Sequence, residues 1–126
     1  YSFLWTATNT SATLSFFFRH DPGGWELDDI TVYHGMTQLI TNGGFETGDL
    51  TGWTYSGSCN WYSGTAKSGS SYAHTGSYYY YDRCADYGDK IQQTFPTVVG
   101  DIYVISFWLS NYDCCGTTEI ATVTVG

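Results

Sequence analysis

The sequence predicts an all-β domain, and three observations carry that expectation. Residues of strands and turns dominate, with twelve Tyr, seven Phe, five Trp and fifteen Gly against only four Lys and Arg. Apolar residues recur at every second position in several segments, the period of a half-buried strand. No window of helical period is long enough to predict a helix. A chain of 126 residues suffices for one domain around one core.

The elements follow in order. Tyr1-Ser-Phe-Leu-Trp5 is β-type sequence. Between Ala12 and Phe18, Leu14, Phe16 and Phe18 share one face, which predicts a core strand. His20-Asp-Pro-Gly-Gly24 reads as a turn. In the next strand Trp25 and Leu27 alternate, then Ile30 and Val32 continue on the opposite parity. Burying both sets requires a β-bulge at Asp28-Asp29. His34 to Gln38 has the length of a hairpin loop with Gly. Leu39 to Trp53 reads as a strand, a tight Gly-Gly turn and a buried aromatic anchor, Trp53. From there to about Gly76 a Ser/Gly/Tyr-rich stretch predicts mostly loops.

Tyr78 to Tyr81 is a further strand, followed by a polar stretch from Asp82 to Asp89. Ile91, Gln93 and Phe95 alternate until Pro96 ends the run. Asp101 to Ser110 is the clearest strand, with Tyr103, Ile105, Phe107 and Leu109 on one face and Trp108 on the other. A loop from Asn111 to Gly116 leads to Glu119–Val125, where Ala121, Val123 and Val125 point inward. About eight strands and no helix fit a two-sheet antiparallel jelly-roll β-sandwich.

Two motifs carry a family resemblance. Leu39-Ile-Thr-Asn-Gly-Gly-Phe-Glu-Thr-Gly-Asp-Leu-Thr-Gly-Trp53 resembles the opening motif of carbohydrate-binding modules of the family 4/9 type, jelly rolls of the galactose-binding-like class. Trp25-Glu-Leu-Asp-Asp-Ile-Thr-Val-Tyr33 resembles that family's closing motif, and Gln93 through Phe107 looks like its middle strands. Here the closing motif lies upstream of the opening one. The resemblance therefore implies a circularly permuted or tandem-repeat order. Residues 1–126 would form one domain, 1–36 the closing half and 37–126 the opening half. The family's first and last strands are spatial neighbours, so a short loop at 34–38 can join them. Since the only Met is Met36, we expect a processed product or a portion of something longer.

Members of that family often hold a structural Ca²⁺ between the Glu of the opening motif and an Asp of the closing motif. Those positions are Glu46 and Asp29, with backbone carbonyls near Gly44 and in the Thr75-Gly-Ser77 turn as further ligands. Hard carboxylate and carbonyl oxygens suit this ion. A carboxylate on a core-facing bulge would be costly to bury without a partner.

Twelve acidic groups against four basic ones give a formal charge of −8, which repels nucleic acid and anionic lipid. No apolar run approaches a membrane span, and no leader-like segment is seen. Four Cys in a Lys-poor aromatic β domain predict an oxidising, extracellular setting. The sequon Asn9-Thr10-Ser11 agrees with secretion and a glycan on Asn9. Cys59, Cys84, Cys114 and Cys115 lack metal-binding CxxC spacing and read as structural. Of three possible pairings, we expect Cys59 and Cys84 each to take one of the adjacent pair, clamping three loops. Each bridge would contribute on the order of 3 kcal/mol.

Catalysis is not expected. His20, His34 and His74 are scattered, and the side chains of Asp28 and Asp29 diverge as neighbours on one strand. Exposed aromatics can instead stack on sugar rings, the candidates being Trp61, Tyr62, Trp108 and Tyr112 with outward members of Tyr78 to Tyr81. The favoured expectation is a non-catalytic repeating unit of an extracellular fibre or tandem array. Copies of the chain would join head-to-tail by strand addition through Tyr1–Trp5 and Ala121–Val125. The alternative, which the resemblance implies directly, is a glycan-binding module.

Overall fold

The computed structural model describes residues 1–57, 59, 63–112 and 116–126, which form two antiparallel sheets and no helix. Ten strands run in chain order: β1 Ser2–Thr6, β2 Ser11–Asp21, β3 Gly24–His34, β4 Thr37–Gln38 and β5 Thr54–Ser56, then β6 Thr65–Ser68, β7 Tyr78–Asp82, β8 Asp89–Pro96, β9 Ile102–Tyr112 and β10 Thr118–Val125. One sheet has the order β1-β9-β3-β7-β6, with β4 added to β3 as a hairpin. The other has the order β10-β2-β8-β5.

The core lies between the sheets and is built from the alternating residues. Leu14, Phe16 and Phe18 of β2 meet Leu27, Ile30 and Val32 of β3 and Tyr103, Ile105 and Phe107 of β9. Burial of such side chains contributes roughly 1.5–3 kcal/mol each before conformational entropy is subtracted. The phase slip in β3 is a bulge, as its parity change requires. Asp28 pairs with Trp108 and Thr31 with Ser106, so three steps on β3 match two on β9. Asp29 takes up the extra residue at φ 49°.

The two motif segments share this one core. The Ile30 amide donates to the Gly43 carbonyl at 3.0 Å. A Cβ at Gly43 would stand 2.0 Å from the Ile30 oxygen, so only glycine lets the loop approach the bulge so closely. Phe45 packs on Trp53 and Tyr80, and Trp53 on Phe16, placing Trp53 in the core as expected.

Three expectations need correction. Leu39 and Ile40 are not a strand. The Leu39 amide still reaches the Val32 carbonyl at 2.9 Å, but the ladder ends there, and the Ile40 and Thr41 amides donate to the side chains of Gln38 and Gln93. The stretch after Trp53 is less irregular than its composition suggests, since it contains β5 and β6. The sulfur pairing also differs, for Cys59 bridges Cys84 directly with Cα atoms 5.4 Å apart. Cys114 and Cys115 lie outside the described residues.

Both terminal strands are used within the chain. β1 pairs with β9, the Tyr1 ammonium donates to the Phe107 carbonyl at 2.8 Å, and β10 pairs with β2 along its length. Asn9 is exposed in the turn between β1 and β2. Among the described residues no helix is long and apolar enough to cross a membrane.

Candidate functional site

The outer face of the larger sheet carries the candidate site, and strand register builds it. Ser110 of β9, Glu26 of β3, Tyr81 of β7 and Thr65 of β6 stand in one row, each opposite the next. Beside them Trp108 pairs with Asp28, and Tyr79 with Lys67. Four strands at ordinary spacing make this platform about 14 Å wide. The bulge keeps Glu26 and Asp28 on the outer face while Leu27 and Ile30 remain in the core.

The segment between β6 and β7 rises over the platform and turns it into a groove. Tyr72 packs against Tyr79 at 6.1 Å and stands edge-on to Tyr112 at 6.1 Å. Two adjoining concavities, about 200 and about 410 Å³, share Glu26, Tyr72 and Tyr112. The first is closed by Lys67, Tyr79, Tyr81 and Arg83, the second by His74, Trp108 and Asn111. Tyr72 and Tyr112 are 47% and 42% exposed and form the walls, whereas Tyr79 and Tyr81 line the floor.

Glu26 is the decisive side chain. It is 5% exposed, lines both concavities, and has no hydrogen-bond partner among the described residues. Burial pushes its carboxyl above the usual range, and Lys67 pulls it back. Burial likewise raises the Tyr79 hydroxyl to about 12, with Glu26 adding to the effect. The carboxyl group opens onto the groove among phenol rings, with acceptor capacity that no described residue uses.

Predicted ligand-contact residues divide accordingly. Trp108 and Tyr112 both line the groove, Trp108 stacked on His74 at 5.1 Å. Trp61 and Tyr62 lie outside the described residues. The sequence reading did not single out Glu26, Tyr72, Lys67 or Arg83. For Glu26 a signal existed: it falls on the polar parity of a strand whose neighbours Trp25 and Leu27 face the core.

The acids expected to ligate a metal, Asp29 and Glu46, both hold the 74–78 turn near the His74 end of the groove. Asp29 lies on the bulge, its oxygens accepting the Thr75 hydroxyl at 2.7 Å and facing His74 Nδ1 at 2.6 Å. Asp28 accepts the His74 amide at 2.9 Å, and burial raises its carboxyl. Glu46 accepts the Ser77 and Tyr78 amides at 2.9 and 3.0 Å. Gly44 adjoins all three, since a Cβ there would lie 3.7–3.8 Å from atoms of Asp29, Glu46 and Asp28. Gly76, at φ 65°, has no room for a Cβ beside Glu46 Oε1. Ser77 contributes its N–H, while its carbonyl accepts from the Gly69 amide. Asp29 and Glu46 carry hard carboxylate oxygens, but among the described residues the side chains here do not bring three ligand atoms within 4.8 Å of one another, and those oxygens are engaged by the turn. Asp28 and Asp29 latch the turn to β3 by hydrogen bonds, and Glu46 ties its Ser77–Tyr78 end to the loop before β5.

A second acidic pair is buried at the other end of β7. Asp82 and Asp89 are 0% and 1% exposed. Asp82 accepts from the Tyr80 hydroxyl at 2.9 Å and the Cys84 amide, and Asp89 Oδ2 accepts from the Tyr55 hydroxyl at 2.8 Å. Burial, together with the neighbouring Asp89, lifts the Asp82 carboxyl to about 9. A proton on Asp82 gives a donor to Asp89 Oδ1, otherwise the one buried side-chain atom without a partner among the described residues. The bridged sulfurs of Cys59 and Cys84 lie near Asp89, but a closed disulfide offers no thiolate to a metal.

The histidines are held structurally. His20 is fully buried, accepting the Gly23 amide and facing Asn111, and His34 stacks on Tyr103 beside Asp101. Compared with protein-family models, curated proteins and solved structures, the chain has no match.

Proposed function

We propose that this chain is a secreted, non-catalytic glycan-binding module whose ligand lies in the groove on the larger sheet. The observation that carries this reading is Glu26, an unpartnered carboxyl group on the floor of a groove walled by Tyr72 and Tyr112. A sugar offers what such a site lacks: hydroxyl donors for the acid and C–H faces for the rings. Asn111, Ser110 and His74 add polar contacts at the Trp108 end. Secretion is supported by the Cys59–Cys84 bridge and the exposed sequon at Asn9. A Ca²⁺ held by Asp29, Glu46 and the Gly44 carbonyl would fasten the 74–78 turn, and with it one groove wall.

Affinity gel electrophoresis against soluble polysaccharides tests the reading. At least one polymer should retard the native chain, and Tyr112→Ala or Trp108→Ala should abolish the retardation. Migration unaffected by every polymer would overturn it.

A specific observation favours a second reading, the self-assembling structural unit. Leu4, Val104 and Tyr33 stand in register across β1, β9 and β3, and they are 69%, 38% and 39% exposed. Ile102 adds to this apolar end of the same face. Copies of the chain would meet there and at the open sheet edges. Concentration-dependent filaments, dispersed by Leu4→Glu, are the expected outcome. A monomer at every concentration would remove this reading.

A further inference from the structure

The groove is not electrically uniform, and its charge narrows the class of ligand. The chain has four Lys and Arg in all, and two of them, Lys67 and Arg83, line the same end of the groove. Both engage one ring. The Lys67 ammonium lies 4.4 Å from the Tyr81 centroid, and Arg83 beside the Tyr81 hydroxyl counters the upward push of burial there. By contrast Arg19 is tied to Asp21 at 2.9 Å. Among the described residues, no carboxylate lies within 4.0 Å of Lys67 or Arg83.

Arg83 Nε donates to the Pro22 carbonyl at 3.2 Å, a neutral partner that leaves its charge, like that of Lys67, without a carboxylate counter-ion among the described residues. At physiological ionic strength acids beyond about 8 Å are screened, so the charges lining this concavity decide what enters, and there Lys67 and Arg83 outnumber Glu26. Glu26 stands at the middle of the groove, on the strand next to Tyr81. One end therefore suits an anion, and the middle suits hydroxyl donors.

We propose that the ligand is an acidic glycan, whose carboxylate or sulfate lies between Lys67 and Arg83 while its neighbouring hydroxyls bind Glu26. This inference rests on the glycan-binding reading and specifies it.

The test uses paired polymers that differ only in charge: polygalacturonic acid and its methyl ester, and a sulfated galactan and its desulfated form. Affinities of the native chain should favour the acidic member of a pair by about tenfold at low salt. That advantage should shrink as salt rises. The double variant Lys67→Met, Arg83→Gln should bring the two affinities together, its fold checked by an unchanged melting temperature. A preference within the first pair assigns a carboxylate to the site, and one within the second alone assigns a sulfate. Equal or tighter binding of the neutral members overturns the inference while leaving the glycan-binding reading in place. Retention of no polymer at all removes both. Salt dependence of the native chain supplies an independent check if the double variant fails to fold. A preference for the acidic member that salt leaves undiminished would count against the inference.

Discussion

The chain buries acids in two ways, and the contrast separates fold from function. At one end of β7, Asp82 and Asp89 face each other with Tyr80, Tyr55, Ser63 and the Cys84 amide around them. Every group there has a partner once Asp82 keeps a proton. On the outer face Glu26 is nearly as inaccessible, yet no described residue satisfies it. Its oxygens open onto the groove, so their acceptor capacity is directed outward and not into the fold. The pair belongs to the architecture, and Glu26 to the groove proposed above as a glycan site.

Breaking the pair should have the largest effect. Asp82→Ala strands the Tyr80 hydroxyl, the Cys84 amide and Asp89 Oδ1 together, at a cost of about 3 kcal/mol. Asp82→Asn keeps a neutral donor in place and should cost far less. Urea unfolding of both variants at neutral pH checks the difference. Equal losses would mean that packing, not the proton, matters at this site.

The same pair makes stability depend on pH. Folded, Asp82 holds its proton to about 9, whereas unfolded it releases it near 3.9. Unfolding therefore sheds a proton between those values. The contribution is complete below about pH 4 and is lost as pH rises toward 9. Melting temperature should fall across this interval in the native chain and vary less in Asp82→Asn. A flat profile in the native chain would refute the shared proton.

Glu26→Gln sharpens the other side of the comparison. Removing an unpartnered charge should leave the melting temperature unchanged or slightly higher. Glycan affinity should drop about tenfold as the acceptor for sugar hydroxyls weakens. Calorimetric titration beside a thermal melt separates the two. A variant that loses stability and retains affinity would reverse the assignment of Glu26.

Periodicity made the sandwich legible. The alternation of Leu14, Phe16 and Phe18 and of Tyr103, Ile105 and Phe107 sufficed, because a residue's face follows from its parity. Even the bulge at Asp28-Asp29 was readable, since Leu27 and Ile30 cannot both face inward without it. Leu39-Ile40 misleads because its apolar pair suggests a strand, whereas the ladder stops at Leu39 and glutamine side chains take the Ile40 and Thr41 amides. The sulfur pairing was hidden because loop ends meet in space according to sheet order, which local sequence does not encode. The groove was half legible. Trp108 stood out as the wrong-facing aromatic of its strand, but Tyr72, Lys67 and Arg83 gain meaning only once β6 lies beside β7.

The acids near the bulge stand between the two extremes and offer the smallest expected effect. Asp28, Asp29 and Glu46 already receive amides and a hydroxyl from the 74–78 turn, so they are neither stranded nor paired with each other. A hydrogen-bonded latch of this kind tolerates its charges without a metal, and the Ca²⁺ proposed above would add to it. If Ca²⁺ binds, it stabilises the folded state by mass action, roughly 1 kcal/mol at a few times its Kd. Added Ca²⁺ should raise the melting temperature by a few degrees, and a chelator should reverse the change. Asp29→Ala and Glu46→Ala should each remove that response. Because the turn supports Tyr72 and His74, glycan affinity should rise with Ca²⁺ in the native chain and not in either variant. A melting temperature indifferent to both Ca²⁺ and chelator would leave the latch to its hydrogen bonds, and the groove wall would then depend on the turn alone.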